Sequence, residues 1–175
     1  MRLIISAIGL LKKGPESELV ADYLKRLRGQ AKQIGISQVE ILEAKERSTS
    51  AGGSDNKKNL EAELLISQLP SDRKLIALDE LGRHMTSREL ASLVQNNLDQ
   101  GVQNLCFVIG GADGLSETVL ELADDKICLG KMTWPHQLVR VMLIEQLWRC
   151  VSILTNHPYH SCLLYTSDAA DEEDS

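Results

Sequence analysis

No uninterrupted stretch of about 18 apolar residues occurs in this 175-residue chain, because Arg140, Glu145 and Arg149 break the best candidate, so nothing in it reads as a membrane-spanning helix. Nor does it open like a secreted protein. Arg2 leads directly into a short β-type run with no small-residue cleavage motif behind it, which predicts a cytoplasmic location. Cysteine is sparse and unpaired in spacing: Cys106, Cys128, Cys150 and Cys162 are widely scattered, and no CxxC pair exists. The first three lie in apolar runs and read as buried, reduced thiols. Several catalytic signatures are missing as well. Gly110-Gly111-x-x-Gly114 lacks the order of a dinucleotide fingerprint, and neither a GxxxxGK[ST] phosphate loop nor a GxSxG nucleophile elbow is present. His157 and His160 stand three apart without a clear third ligand, which predicts no metal site.

The sequence does hold enough apolar residues, 43%, for the core of one ordinary domain. Its formal charge of −6 argues against a nucleic-acid partner only until the distribution is considered. Ser161 to Ser175 carries five acidic residues and no basic one; without it the chain has 20 acidic against 19 basic residues, a net of −1. The basic residues cluster as Lys12-Lys13, Lys25-Arg26-Arg28-Lys32, Lys45 with Arg47, and Lys57-Lys58. Each cluster alone reads first as a solvated face. Together they leave an RNA partner open.

Short β-rich runs alternate with amphipathic segments of helical length. Leu3 to Ile8 predicts a strand, and Pro15 a first helical turn. Leu19, Val20, Tyr23, Leu24 and Leu27 share one face of the helix that follows, which ends near Gly29. Val39 to Leu42 is a second strand, and Lys45 to Asn56 a flexible loop rich in Ser and Gly. Leu60, Leu64, Leu65 and Leu69 mark a helix closed by Pro70, and Lys74 to Leu78 a third strand. Thr86 and Glu89 form a capping box opening a helix with Leu90, Leu93, Val94 and Leu98 inward. Leu105 to Ile109, a short helix from Ser116 and a strand around Ile127 to Leu129 complete the alternation. The pattern predicts an α/β fold, with a mainly parallel sheet and helices on both faces.

In such a sheet, ligands bind outside the carboxyl ends of the strands. Three loops then meet in one pocket: Leu78-Asp79, Gly110 to Gly114, and Gly130-Lys131-Met132-Thr133-Trp134. The glycines suit close approach of backbone to a ligand, and a side chain at Gly110 would take the ligand's place. Asp113 and Glu80 are placed to face cationic or hydroxyl groups. A plain turn explains the glycines equally well.

The final helix, Leu138 to Leu154, is apolar almost all round and predicts burial on two sides, through a homodimer. At about 100° per residue, Glu145, Gln146, Arg149 and Ser152 fall on one polar stripe and Arg140 falls on the opposite, apolar side. A charge there needs an anion partner or marks a site. Pro135 and His136 lie at the helix start, where free N–H groups and the positive dipole end favour anions.

Four segments carry a family resemblance: Phe107-Val108-Ile109-Gly110-Gly111-Ala112-Asp113-Gly114-Leu115, Met132 to Val141, Glu145-Gln146-Leu147-Trp148-Arg149, and Asn156-His157-Pro158-Tyr159-His160. Taken together they resemble the bacterial 23S ribosomal RNA pseudouridine N3-methyltransferases of the SPOUT superfamily, over Met1 to His160. The resemblance implies a C-terminal trefoil knot, S-adenosylmethionine as methyl donor, a homodimer, and the assembled ribosome as substrate. It places Leu78, Gly110, Leu129, Gly130, Lys131, Met132, Thr133 and Trp134 at the cofactor. It places His136, Arg140, Arg149, Tyr159 and His160 in the active-site region. The imide nitrogen must lose its proton as it attacks the sulfonium methyl, so negative charge develops on the ring oxygens, which arginines stabilise. A histidine takes the proton, and the sequence does not choose between His136 and His160.

One departure stands out. The family continues Tyr-His-Arg and stops, whereas Ser161 follows His160 here, then Cys162-Leu163-Leu164-Tyr165 and the acidic end. Residues 1–160 therefore read as a single domain, and 161–175 as a non-native acidic extension, disordered from Thr166. Two other classes stay open: a catalytically silent ribosome-binding module, and a small-molecule enzyme on a doubly wound sheet.

Overall fold

The computed structural model describes residues 1–46 and 53–161. Five strands, β1 (Arg2–Ile8), β2 (Gln38–Ala44), β3 (Lys74–His84), β4 (Asn104–Ile109) and β5 (Asp125–Cys128), form one sheet in the order β2-β1-β4-β3-β5. Every pairing is parallel. Four α-helices connect them, α1 (Pro15–Ala31), α2 (Gly53–Ser67), α3 (Ser87–Asp99) and α4 (Glu117–Leu122), and α5 (His136–Leu154) follows β5. No helix among the described residues is long and apolar enough to cross a membrane.

The near-continuous apolar runs of β1 and β4 are those of strands covered on both faces. Leu3, Ile5 and Ala7 of β1, with Leu105, Phe107 and Ile109 of β4, join the core beneath α1, α3 and α5. Ile4, Ile8, Cys106 and Val108 point the other way, toward Leu65 and Ala62 of α2 and Val119 of α4. The period of two thus splits one hydrophobic sequence between two cores, on the two faces of the sheet. The capping box forms as expected: the Thr86 hydroxyl accepts from the Glu89 N–H at 3.2 Å, and the Glu89 carboxylate accepts from the Thr86 N–H at 2.6 Å. Cys106, Cys128 and Cys150 are free and buried, and burial pushes the Cys106 thiol up to about 11.

Three expectations need correction. Gly53 to Asn56 belong to α2 and not to a loop; Arg47 to Gly52 lie outside the described residues, as do 162–175. Ser152 is fully buried instead of lying on a polar stripe, because α5 packs against both α1 and α3 and leaves that side no solvent. β3 does not end at Leu78. It runs on to His84 through a register shift between Leu78 and Arg83, so that Ile127 of β5 has both of these residues as partners. β5 is therefore flanked by the two halves of β3. Gly82 permits this crossing: a Cβ there would lie 2.6 Å from the Ile127 carbonyl carbon.

Candidate methyl-donor and substrate site

The three expected strand ends do meet. Leu78, Asp79 and Glu80 after the first half of β3, Gly111 to Ser116 after β4, and Thr133 and Trp134 after β5 line a cavity of about 830 Å³, closed on its far side by Asp55, Lys58 and Asn59 of α2. Beside it, Leu78, Asp79, Glu80, Ile127, Leu129, Gly130, Met132, Thr133, Trp134 and Val139 enclose a smaller space of about 140 Å³. The two share Leu78, Asp79, Glu80, Thr133 and Trp134, which makes them one cleft with a wide polar part and a narrow apolar part. Gly130 adopts φ +140°, in the region that favours glycine, and the Trp134 indole nitrogen stands 3.7 Å from where its Cβ would be. Asp79 fixes the rim by accepting the Leu81 N–H at 2.9 Å.

Six of the eight expected cofactor positions, Leu78, Leu129, Gly130, Met132, Thr133 and Trp134, line this cleft. Gly110 and Lys131 do not. Lys131 is exposed. A Cβ on Gly110 would lie 2.5 Å from the Gly114 backbone carbon, so a side chain there meets the loop's own backbone rather than a ligand. This glycine is required by the tight return in which the Gly114 N–H donates to the Gly111 carbonyl at 3.1 Å.

The five residues expected in the active-site region fall into two groups along α5. His136, on its first turn, rests against Gly9, whose φ of +92° turns the chain away from β1; the imidazole Nε2 is 3.1 Å from the position of a Gly9 Cβ. One turn on, Arg140 is completely buried. Its guanidinium is paired with the Glu43 carboxylate and donates to the carbonyls of Ile8 at 3.1 Å and Gly9 at 2.9 Å. Burial pushes this group below its ordinary value, and Glu43 opposes that. Arg140 thus ties α5 to the ends of β1 and β2 through a buried ion pair, the simpler of the two readings its sequence position allowed.

The second group lies about 20 Å away, thirteen residues further along the helix at 1.5 Å each. Arg149 donates to Glu145 through Nε at 3.0 Å and Nη2 at 2.7 Å, and the Tyr159 hydroxyl donates to the same oxygen at 2.8 Å. Tyr159 stacks on Trp148 with ring centroids 3.6 Å apart. Burial raises the Tyr159 hydroxyl above its ordinary value, and the hydrogen bond to Glu145 adds to it. His160 belongs to the short 3-10 turn Pro158–Ser161 that carries Tyr159 back onto the helix. Glu145 also faces a cleft of about 560 Å³ between α1, α3 and α5, lined by Tyr23, Met85, Leu90, Leu129 and Met142.

The parallel sheet thus holds a cleft at the carboxyl ends of β3, β4 and β5, and α5 leads away from it carrying two ion-paired arginines. The family model described as "Predicted SPOUT methyltransferase" matches residues 1–160, and the chain belongs to this family and is a methyltransferase enzyme. Among its curated relatives, a protein of Rhizobium rhizogenes named ribosomal RNA large subunit methyltransferase H is 46% identical over 160 residues, 91% of this chain and 99% of the relative. Proteins of the same name from Paramagnetospirillum magneticum and Rhizobium leguminosarum are 45% and 43% identical over the same length and share of each chain.

Two residues that shape the site were not singled out from the sequence. Glu43, the partner of Arg140, lies near the end of β2, one residue past the expected strand. Lys57 looked like part of a solvated basic cluster, yet it is only 8% exposed and bonds to Glu46 at 2.9 Å and Asp113 at 2.8 Å. Asp113, expected to face a ligand, is engaged by this lysine. No spacing rule distinguishes Lys57 from its neighbour Lys58.

Proposed function

We propose that this protein transfers a methyl group from S-adenosylmethionine to N3 of a pseudouridine in the 23S RNA of the assembled ribosome, acting in the cytoplasm as a homodimer whose working domain is residues 1–160. The observation that carries the reading is the cleft at three strand ends, lined by six of the residues that the family resemblance assigns to the donor, in a chain that aligns with large-subunit rRNA methyltransferases over nearly their whole length. The residues fit that donor. Leu78, Ile127, Leu129, Val139 and Trp134 offer apolar and aromatic surface to an adenine and a thioether chain, and the carboxylates of Asp79 and Glu80 suit ribose hydroxyls and a cationic centre. When bound there, S-adenosylmethionine supplies an electrophilic methyl on positively charged sulfur.

The remaining chemistry falls to the protein. N3 must lose its proton, and the charge that spreads to the flanking ring oxygens calls for a preorganised cation. Arg149, oriented by Glu145 and Tyr159, is suited to that task, and Arg140 acts as a positioning residue because it is wholly buried and both of its Nη groups are bonded to Glu43, Ile8 and Gly9. His136 or His160 takes the proton.

The separation of the two groups along α5 supports the homodimer. Antiparallel pairing of two such helices brings the Arg149–Tyr159 end of one chain beside the His136 end of its partner, and it covers Leu138 and Met132, which are 36% and 68% exposed. The implied knot is consistent with β5 running between the two halves of β3. Incubating the purified protein with labelled S-adenosylmethionine and unmodified ribosomes tests the function. N3-methylpseudouridine in 23S RNA is the expected product; methylation of free nucleosides, or no transfer to ribosomes despite donor binding, would overturn it.

A further inference from the structure

Lys57 is a buried ammonium held between three parts of the chain. It comes from α2, reaches Glu46 just beyond β2, and reaches Asp113 in the loop after β4. Its pairing is strongly favoured: Asp113 and Glu46 raise its affinity for a proton above the ordinary lysine value, and in return Lys57 lowers the Asp113 carboxyl. The loop it holds is the wall of the larger cavity. Gly111 is already packed, with the place of a Cβ 3.0 Å from Glu61 Oε2 of α2 and 3.1 Å from Ile8 Cγ2. Beyond it, Ala112, Asp113 and Gly114 are exposed, and the Asp113 side chain is the link that ties this stretch back to α2. The next residue of that helix, Lys58, lines the cavity itself.

We propose that Lys57 is a positioning residue for the methyl-donor site, fixing the Gly111–Gly114 loop through Asp113 so that the cavity wall is formed before the ligand arrives. This rests on the reading of the cleft as the donor site. The energetic logic is preorganisation: a loop already in its bound shape does not charge its ordering entropy against the ligand. A buried ammonium between two carboxylates suits the purpose because its charge-assisted bonds are directional and hold the partly exposed Glu46 and Asp113 side chains against α2. The strut also couples donor binding to α2.

The test compares Lys57→Met, Lys57→Arg, Asp113→Asn and Glu46→Gln in the full chain, with two readouts. Amide hydrogen exchange without ligand should show faster exchange at Gly114 in Lys57→Met and Asp113→Asn, with the amides of β1 unchanged. Calorimetry with S-adenosylmethionine should show Kd raised about tenfold in those two variants, the loss of about one charge-assisted bond's contribution to loop order. Lys57→Arg should recover much of both effects. Glu46→Gln, which leaves the loop contact intact, should lower the melting temperature with little change in Kd. Unchanged Gly114 exchange in Lys57→Met overturns the inference, as does equal loss of donor affinity in Glu46→Gln and Asp113→Asn. Failure of the wild-type protein to bind S-adenosylmethionine defeats the donor-site reading, and is distinguished because the exchange measurement needs no ligand.

Discussion

Replacing Arg140 with methionine separates a residue that builds the site from one that touches substrate. The wild-type guanidinium is wholly buried and satisfies the Glu43 carboxylate and two backbone carbonyls, at Ile8 and Gly9. Methionine keeps most of the volume and removes every donor. Breaking a buried pair from one side costs about 3–5 kcal/mol. Glu43 is 28% exposed and keeps a bond from the Leu11 N–H at 3.2 Å, so it regains part of its hydration and the lower end, about 3 kcal/mol, is the expected value. In a domain of this length that corresponds to a fall in melting temperature of roughly 6–12 °C. Glu43→Gln alone leaves a buried cation with a neutral partner and should cost about 2 kcal/mol, discounted because the glutamine oxygen still accepts a bond. The double variant Arg140→Met, Glu43→Gln should then cost about 1 kcal/mol or more less than the sum of the two single changes, since neither leaves a charge for the other to satisfy. Urea denaturation of the four proteins measures the cycle, and methyl transfer to ribosomes in the double variant should recover along with stability. Near-wild-type stability of Arg140→Met combined with complete loss of transfer would refute the argument and make Arg140 a catalytic residue.

Gly82→Ala should destabilise the fold by more than about 3 kcal/mol, because the Ile127 backbone and not a side chain must give way; Gly29→Ala in α1, with nothing within 4 Å of its Cβ, should instead stabilise by about 0.5–1 kcal/mol, and thermal melts of the pair decide it. Acid should weaken the fold below about pH 4. Hydrogen bonds from the Thr86 N–H and hydroxyl lower the Glu89 carboxyl, Lys57 lowers that of Asp113, and at Asp124 the Leu75 N–H and Lys74 outweigh a burial effect of opposite sign. Carboxyls lowered in the folded state contribute stability that is present above their unfolded pKa and lost as pH falls through the folded one, so the urea midpoint should drop in that window and the drop should shrink in Asp124→Asn; a midpoint flat to pH 3 would contradict this. Leu138→Glu should leave a folded monomer at micromolar concentration by sedimentation, and a persisting dimer would move the interface away from α5.

Much of this architecture could be read from residue order because local rules and tertiary packing agree. The Thr86–Glu89 box, the face of α1 and the apolar run Leu105 to Ile109 of β4 each need only neighbouring residues to be recognised. The second half of β3 does not: Asp79-Glu80-Leu81-Gly82-Arg83-His84 has no β-type alternation, and it is held extended by pairing with β5 more than forty residues later. The strand order has the same origin, since alternation predicts parallel strands but not which ones are neighbours. At the cleft, Leu129, Gly130, Met132, Thr133 and Trp134 could be placed through glycine and family motifs, whereas Lys131 and Gly110 could not. Lys57 and Glu43 could not, because burial of a charge depends on partners brought from elements distant in sequence, and neither residue breaks any local pattern.

The crossing at Gly82 gives the molecule a direction under load. β5 sits between two stretches of one earlier strand, so a force applied at the carboxyl end must strip α5 and then draw β5 lengthwise out of a slot, shearing both of its edges together. A force at the amino end begins on β1, which is also held on both edges but by two separate strands, β2 and β4, and not by two stretches of a single one. A protease that feeds on unfolding chains should therefore stall near Asp125 when it enters from the carboxyl end and advance more evenly from the other. Single-molecule pulling from each terminus would read the difference as two unlike rupture patterns, and identical traces would mean that the slot bears no load.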